Sequence, residues 1–148
     1  MVASRLRLLV VTLWVGSLWA IGYIVAPTLF ATLGDRALAG SVAGKLFRIE
    51  AWLSVTCAIA LLASRRWSGG DTTPAAARQV VWIVLGMLAC TLVGYFGVQP
   101  FMAALKEASA GGMMEAETRA RFGVLHGVSS VFYLIQSVLG GLLVWKLR

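Results

Sequence analysis

Four apolar stretches, Leu6 to Phe30, Leu46 to Ser64, Val80 to Phe101 and Phe122 to Trp145, constrain this chain more than any motif in it. Each is close to or above the roughly 20 helical residues that cross a hydrocarbon core about 30 Å thick. A 148-residue chain that is 59% hydrophobic and 13% charged, with mean hydropathy +0.85, has too little polar surface to cover those stretches in one soluble core. Lipid is therefore the solvent for most of it. In lipid every backbone N–H and C=O must be satisfied inside the protein, which leaves helices or closed barrels. Barrel strands alternate apolar and polar residues and these stretches do not. The expected fold is all-α: a single domain over residues 1–148, an integral-membrane four-helix bundle.

Arg5 and Arg7 stand at the start of the first stretch, as basic residues stand before the apolar run of a signal peptide. The run continues to Phe30 without a small-x-small site followed by polar sequence, so a retained first helix is expected. The isoelectric point near 10.3 and the net charge of +7 do not point to nucleic acid, because the basic residues sit at helix ends rather than along one face. They report topology instead. Seven Lys/Arg lie on the side of the termini and the middle loop (Arg5, Arg7, Arg65, Arg66, Arg78, Lys146, Arg148), against six on the other side (Arg36, Lys45, Arg48, Lys106, Arg119, Arg121). The second set is masked by Asp35, Glu50, Glu107, Glu115 and Glu117, so both termini are expected in the cytoplasm, although acids carry little weight in the positive-inside rule. Trp67, Trp82 and Trp145 beside that face fit an interfacial aromatic belt. For a bacterial chain the membrane is the inner, cytoplasmic one.

The chain carries a weak internal repeat. Gly22-Tyr23 precedes Pro27 near the end of the first stretch, and Gly94-Tyr95 precedes Pro100 near the end of the third. After each proline come a glycine break (Gly34, or Gly111-Gly112), a polar helical segment, and a phenylalanine, Phe47 or Phe122, that opens the next stretch. Two hairpins of parallel topology, related by an axis along the membrane normal, would have this pattern. It predicts that Pro27, Pro100, Phe47 and Phe122 all lie near the outer face. Glu115 with Arg119 and Glu117 with Arg121 are acid-before-base pairs at i and i+4, so helix four is expected to begin outside the membrane near Met113. The middle loop, SRRWSGGDTTPAAARQ, reads as a flexible connection.

Helix four presents Gly123, Gly127, Ser130, Leu134, Ser137 and Gly141 at alternating spacings of four and three residues. Small residues let backbones approach closely in lipid, where packing and polar contacts drive association. This face is the expected packing seam, with Gly94 in a second row of small residues on helix three. His126 lies beside the seam, with Glu50 at a similar expected depth counted from Phe47. Ionisable residues inside a membrane segment are costly and mark functional positions. The candidate polar site is therefore His126, Glu50, Ser130, Tyr23 and Gln99. Two readings of it stand: a proton or cation site built on imidazole and carboxylate, and ordinary structural hydrogen bonds near the interface.

No cofactor is expected. Haem calls for an axial histidine and a second ligand, and His126 is the only histidine. Cys57 and Cys90 are isolated, which suits neither zinc nor a disulfide. No hydrolase motif is present, so an enzyme is not expected.

At Lys45-Leu46-Phe47, at Pro100 and at His126-Gly127-x-Ser129-Ser130, the chain resembles the TMEM205-like family, a domain of unknown function, over nearly its whole length. The resemblance implies a four-helix membrane protein without an established activity, in a family linked to the handling of platinum drugs in its eukaryotic members, and it implies no catalytic residue. Glu50 departs from the eukaryotic pattern, which has an aromatic residue there. The expected function is a small membrane binding or interaction protein packed through small-residue faces, with the bilayer and a homo-oligomer as partners. The alternative is a proton- or cation-coupled carrier using His126 with Glu50.

Overall fold

The computed structural model describes residues 2–64, 73–109 and 115–146. The middle loop's Arg65, Arg66 and Trp67, the Gly111-Gly112 break, the expected helix start at Met113, and Arg148 lie outside the described residues. Among the described residues four helices are long and apolar enough to cross a membrane: Ser4–Thr32, Arg36–Ser64, Pro74–Ala108 and Ala116–Lys146. The first comprises α1 (Val2–Trp19), a π-helical segment π1 (Ala20–Val25) and α2 (Ala26–Thr32). The second is α3 (Arg36–Ser64). The third comprises α4 (Pro74–Thr91), π2 (Leu92–Gly97) and α5 (Gln99–Ala108), and the fourth is α6 (Ala116–Lys146). Among the described residues there is no strand. The protein is an all-α four-helix bundle.

Each helix starts before its apolar stretch, and in two of them a polar cap sets the start. Asp35 Oδ1 accepts the N–H groups of Ala37 and Leu38 at 2.7 and 3.2 Å, so α3 begins ten residues before Leu46. Thr73 Oγ1 accepts the N–H of Ala76 at 3.4 Å, with Pro74 in the first turn where its missing N–H costs nothing. At the start of α6 the expected Glu117–Arg121 pair forms at 2.7 Å, exposed on both sides.

The prolines do not end their helices. The first span runs through Pro27 to Thr32 and the third through Pro100 to Ala108. A proline ring collides with the carbonyl one turn earlier, and a wide π turn just ahead of it makes room. Both π segments hold the repeated Gly-Tyr pair, Gly22-Tyr23 in π1 and Gly94-Tyr95 in π2. The Ala26 N–H bonds back to Ile21 O, five residues earlier. The repeat seen in sequence is thus a repeated backbone device.

The spans are ordered up, down, up, down, with the two hairpins formed by spans one and two and by spans three and four. Their packing differs with depth. On the side of the termini, α1 lies against α3 and α6, and α4 against α3 and α6. A buried apolar cluster joins all four helices there: Val11, Trp14, Val15 and Leu18 with Cys57, Ala58, Leu61, Val84, Met87 and Leu143. Gly140 makes the fit possible, since a Cβ on it would meet both Val15 methyls at 3.2 Å and Met87 Cε at 3.4 Å. Arg7 Nη2 donates to Ser64 O at 2.6 Å, and Lys146 Nζ to Gln79 Oε1 at 3.0 Å, tying each hairpin at this end. On the opposite side, α2 packs on π1 and α3, and α5 on π2 and α6, so each stays mainly within its own hairpin. The hairpins meet at one end and part at the other. Trp82 and Trp145, 68% and 74% exposed, lie on the lipid-facing surface near the termini side.

Candidate functional site in the cleft between the hairpins

Where the hairpins part, a cavity of about 470 Å³ is lined by residues from all four spans. Its walls are mostly apolar and aromatic, including Leu18, Phe30, Phe47, Ala51, Met102 and Leu134. All five residues of the expected polar site line it: His126, Glu50, Ser130, Tyr23 and Gln99. They do not form one cluster.

Glu50 is 2% exposed and belongs to the floor. Its Oε1 accepts the Ser54 hydroxyl at 3.3 Å, and Ser54 Oγ accepts from Trp14 Nε1 at 2.7 Å and from Gln136 Nε2 at 3.2 Å. Three helices therefore converge on one hydroxyl, whose own proton goes to the carboxylate. Glu50 Oε2 is buried without a hydrogen-bond partner.

His126 is exposed on the cleft wall, its ring stacked on Phe122 at 6.2 Å and 5°. Lys106 Nζ sits over the other part of this rim, 5.3 Å from the Phe122 ring centroid. The expectation of equal depth for His126 and Glu50 is corrected here. It assumed that Phe47 and Phe122 open their helices at one level, but the Phe47 ring meets Tyr133, at 5.4 Å and 90°. Tyr133 lies eleven residues beyond Phe122 and twelve before Trp145, so Phe47 is at mid-span rather than at the outer face. His126 stands seven residues, or about 10 Å at 1.5 Å per residue, above that level, and Glu50 lies a turn below it. The two share a cavity and not a bond. The Ser130 hydroxyl turns back to donate to His126 O at 2.8 Å. Tyr23 meets Tyr133 edge-on at 6.3 Å and 65°.

The small residues of α6 divide in the same way. Ser137 and Gly141 pack against Trp19, whose Nε1 donates to Ser137 O at 3.3 Å and whose ring would lie 3.6 Å from a Cβ on Gly141. A Cβ on Gly123 or Gly127 would meet nothing within 4 Å. The expected seam packs only along its inner half within one chain. Close approach is concentrated instead at the two π segments. A Cβ on Gly94 would lie 2.8 Å from Phe132 Cβ, and one on Gly22 would overlap the Tyr133 ring. At the same places α6 supplies hydroxyls: Tyr133 donates to Leu18 O at 2.6 Å and Ser129 to Gly94 O at 3.0 Å. These satisfy carbonyls at the irregular turns, which lipid cannot do.

Sequence reasoning missed Trp14 and Gln136, the two donors that fix Ser54. Both carried a signal: an indole in mid-helix rather than in the interfacial belt, and the only amide side chain of helix four. Among the described residues no group of three or more His, Cys, Asp or Glu could hold a metal ion.

No curated protein and no solved structure matches the chain. A family profile does match, over residues 9–111, a stretch that takes in Tyr23, Glu50, Ser54 and Gln99 and ends before α6. By that match the chain belongs to the DUF4149 family, a domain of unknown function.

Proposed function

We propose that this multi-pass membrane protein binds a small, largely apolar molecule in the cleft between its hairpins and performs no covalent chemistry on it. The observation that carries the reading is the cavity itself, about 470 Å³, with apolar and aromatic walls and a few polar groups converging on a buried floor. That is the usual make-up of a small-molecule site. Packing through small residues serves the cleft, since Gly22 and Gly94 let α6 approach both π segments. The finer kinship with the TMEM205-like family is part of the proposal. It rests on Lys45, Leu46, Phe47, Pro100, His126, Gly127, Ser129 and Ser130, of which Phe47, His126, Ser129 and Ser130 line the cleft. Both termini are cytoplasmic in this proposal, on the masking of the opposite basic residues by acids, and the cleft opens outward. A cysteine introduced at Gly34 is then modified by a membrane-impermeant maleimide in intact cells.

The binding test uses 1-aminoanthracene, a neutral fluorophore that fits a cavity of this size, with purified protein in nanodiscs. Saturable fluorescence enhancement is expected, abolished by Ala51→Trp on the cleft wall and kept by Val138→Trp on the lipid-facing surface. Equal enhancement in the two variants counts against the reading.

A second reading, proton- or cation-coupled transport, is favoured by the unpartnered Glu50 Oε2. Glu50 and His126 would then act in series along the cleft rather than as a pair. Solute flux in liposomes that is unchanged in both Glu50→Gln and His126→Ala counts against it.

A further inference from the structure

We infer that the cleft selects an organic monocation: a protonated amine whose ammonium group occupies the floor at Glu50 and whose apolar body fills the space above. The inference rests on the binding reading and narrows its ligand to one chemical class.

The floor is short of donors. Trp14 has one N–H and Ser54 one O–H, and both are occupied, the first on Ser54 Oγ and the second on Glu50 Oε1. The Ser17 hydroxyl donates to Trp14 O at 3.0 Å. Glu50 Oε2, buried on the cavity floor, makes no hydrogen bond, and the nearby Ser17 hydroxyl is the one further donor close to the carboxyl, engaged with Trp14 O. Nor does Glu50 have an ion-pair partner among the described residues; the Arg121–Glu117 pair lies exposed at the start of α6. A buried carboxyl group without a counter-charge is held at a large cost unless a proton or a cation answers it.

The surroundings decide which cation fits. A divalent metal takes four or more donors, and the floor offers one carboxylate beside the neutral side chains of Ser54, Thr91 and Gln136, with no group of three or more His, Cys, Asp or Glu among the described residues. An ammonium group asks for less: one short charge-assisted hydrogen bond and aromatic rings alongside. Phe47, Tyr23 and Tyr133 supply those rings as an edge-to-face cluster lining the same cavity as Glu50. The Tyr133 hydroxyl is turned away to Leu18 O, so the residue presents its ring. Lys106 and His126 stand at the rim, a depth away from the floor. An anion held there would leave the carboxylate unanswered, whereas an alkylammonium passing them reaches the one strong acceptor in the cavity. The position of the charge then fixes the ligand's orientation, head down and apolar body toward Met102 and Phe30.

The test compares three probes with one apolar body on the full-length protein: 3-phenylpropylammonium, 3-phenylpropanol and 3-phenylpropionate. Binding is read by titration of the thermal unfolding midpoint in detergent, for wild type and Glu50→Gln. The ammonium compound is expected to bind at least about tenfold more tightly than the alcohol, a difference of about 1.4 kcal/mol, and to lose that advantage in Glu50→Gln while the alcohol is unaffected. A second measurement needs no change at Glu50. In a Cys57→Ser background, N-ethylmaleimide modification of Cys90, which lines the cavity, is slowed more by the ammonium compound than by the alcohol at equal concentration. Equal affinity for alcohol and ammonium, preference for the carboxylate, an ammonium advantage that survives Glu50→Gln, or equal protection of Cys90 by alcohol and ammonium would overturn the inference and leave the binding cleft standing. Absence of binding by all three probes would overturn both.

Discussion

The half of the bundle near the termini and the half near the 33–35 connection use the same four helices for opposite ends. In the first, Trp14, Val15, Met87 and Leu143 are at most 2% exposed and Gly140 brings the hairpins into contact. In the second, α2 and α5 stay with their own hairpins and polar groups face a cavity. In lipid no hydrophobic force drives helices together, so a tight half must earn its packing by shape and an open half is not penalised for exposing apolar walls. The boundary between them is the layer of π turns at mid-span, where α6 contributes Ser129, Phe132 and Tyr133. The closed half fixes the hairpins relative to each other, and the open half is thereby free to be shaped by what it holds.

This contrast can be broken at several points. The largest expected effect is in the closed half: Met87→Ala leaves a void among four helices and should cost roughly 2–3 kcal/mol in reversible unfolding from mixed micelles, toward the lower end for core truncations because lipid replaces water as the reference. Next comes the boundary. Gly94→Ala drives a methyl group into Phe132 and should cost about 1–3 kcal/mol. Tyr133→Phe removes the donor to Leu18 O and keeps the ring, with an expected loss of about 1 kcal/mol in the same assay. The smallest effect belongs to the open half, where Gly127→Ala meets nothing and should change monomer stability by less than about 0.5 kcal/mol. A cost at Gly127 equal to that at Gly94 would mean that the outer half of α6 is packed after all, and the contrast would fail.

Much of this arrangement was legible in the sequence, for reasons that differ by feature. The spans could be read because apolar length is a direct requirement of the bilayer. The Gly-Tyr and proline repeat marked the two π segments, and membership of Glu50, His126, Tyr23, Gln99 and Ser130 in one cavity followed from the cost of polar groups in lipid. What could not be read depended on contacts between helices. The π turns ahead of Pro27 and Pro100 are among these, because nothing local says that hydroxyls from α6 stand ready at those turns. The depth of Glu50 was misread because register between spans two and four is set by Phe47 on Tyr133, a pairing of residues 86 positions apart. The small-residue face of α6 extended too far outward because spacing alone cannot tell a glycine that admits a neighbour from one that has none.

The two cysteines provide the most direct test of the division between halves. Cys57 belongs to the closed apolar cluster and Cys90 to the cleft wall. Purified protein in nanodiscs would be exposed to N-ethylmaleimide and the adducts located by mass spectrometry of digested samples over time. Modification of Cys90 well before Cys57, suppressed when Ala51→Trp fills the cleft, is the predicted result. Equal rates at the two thiols, or modification of Cys57 first, would contradict a bundle closed at one end and open at the other.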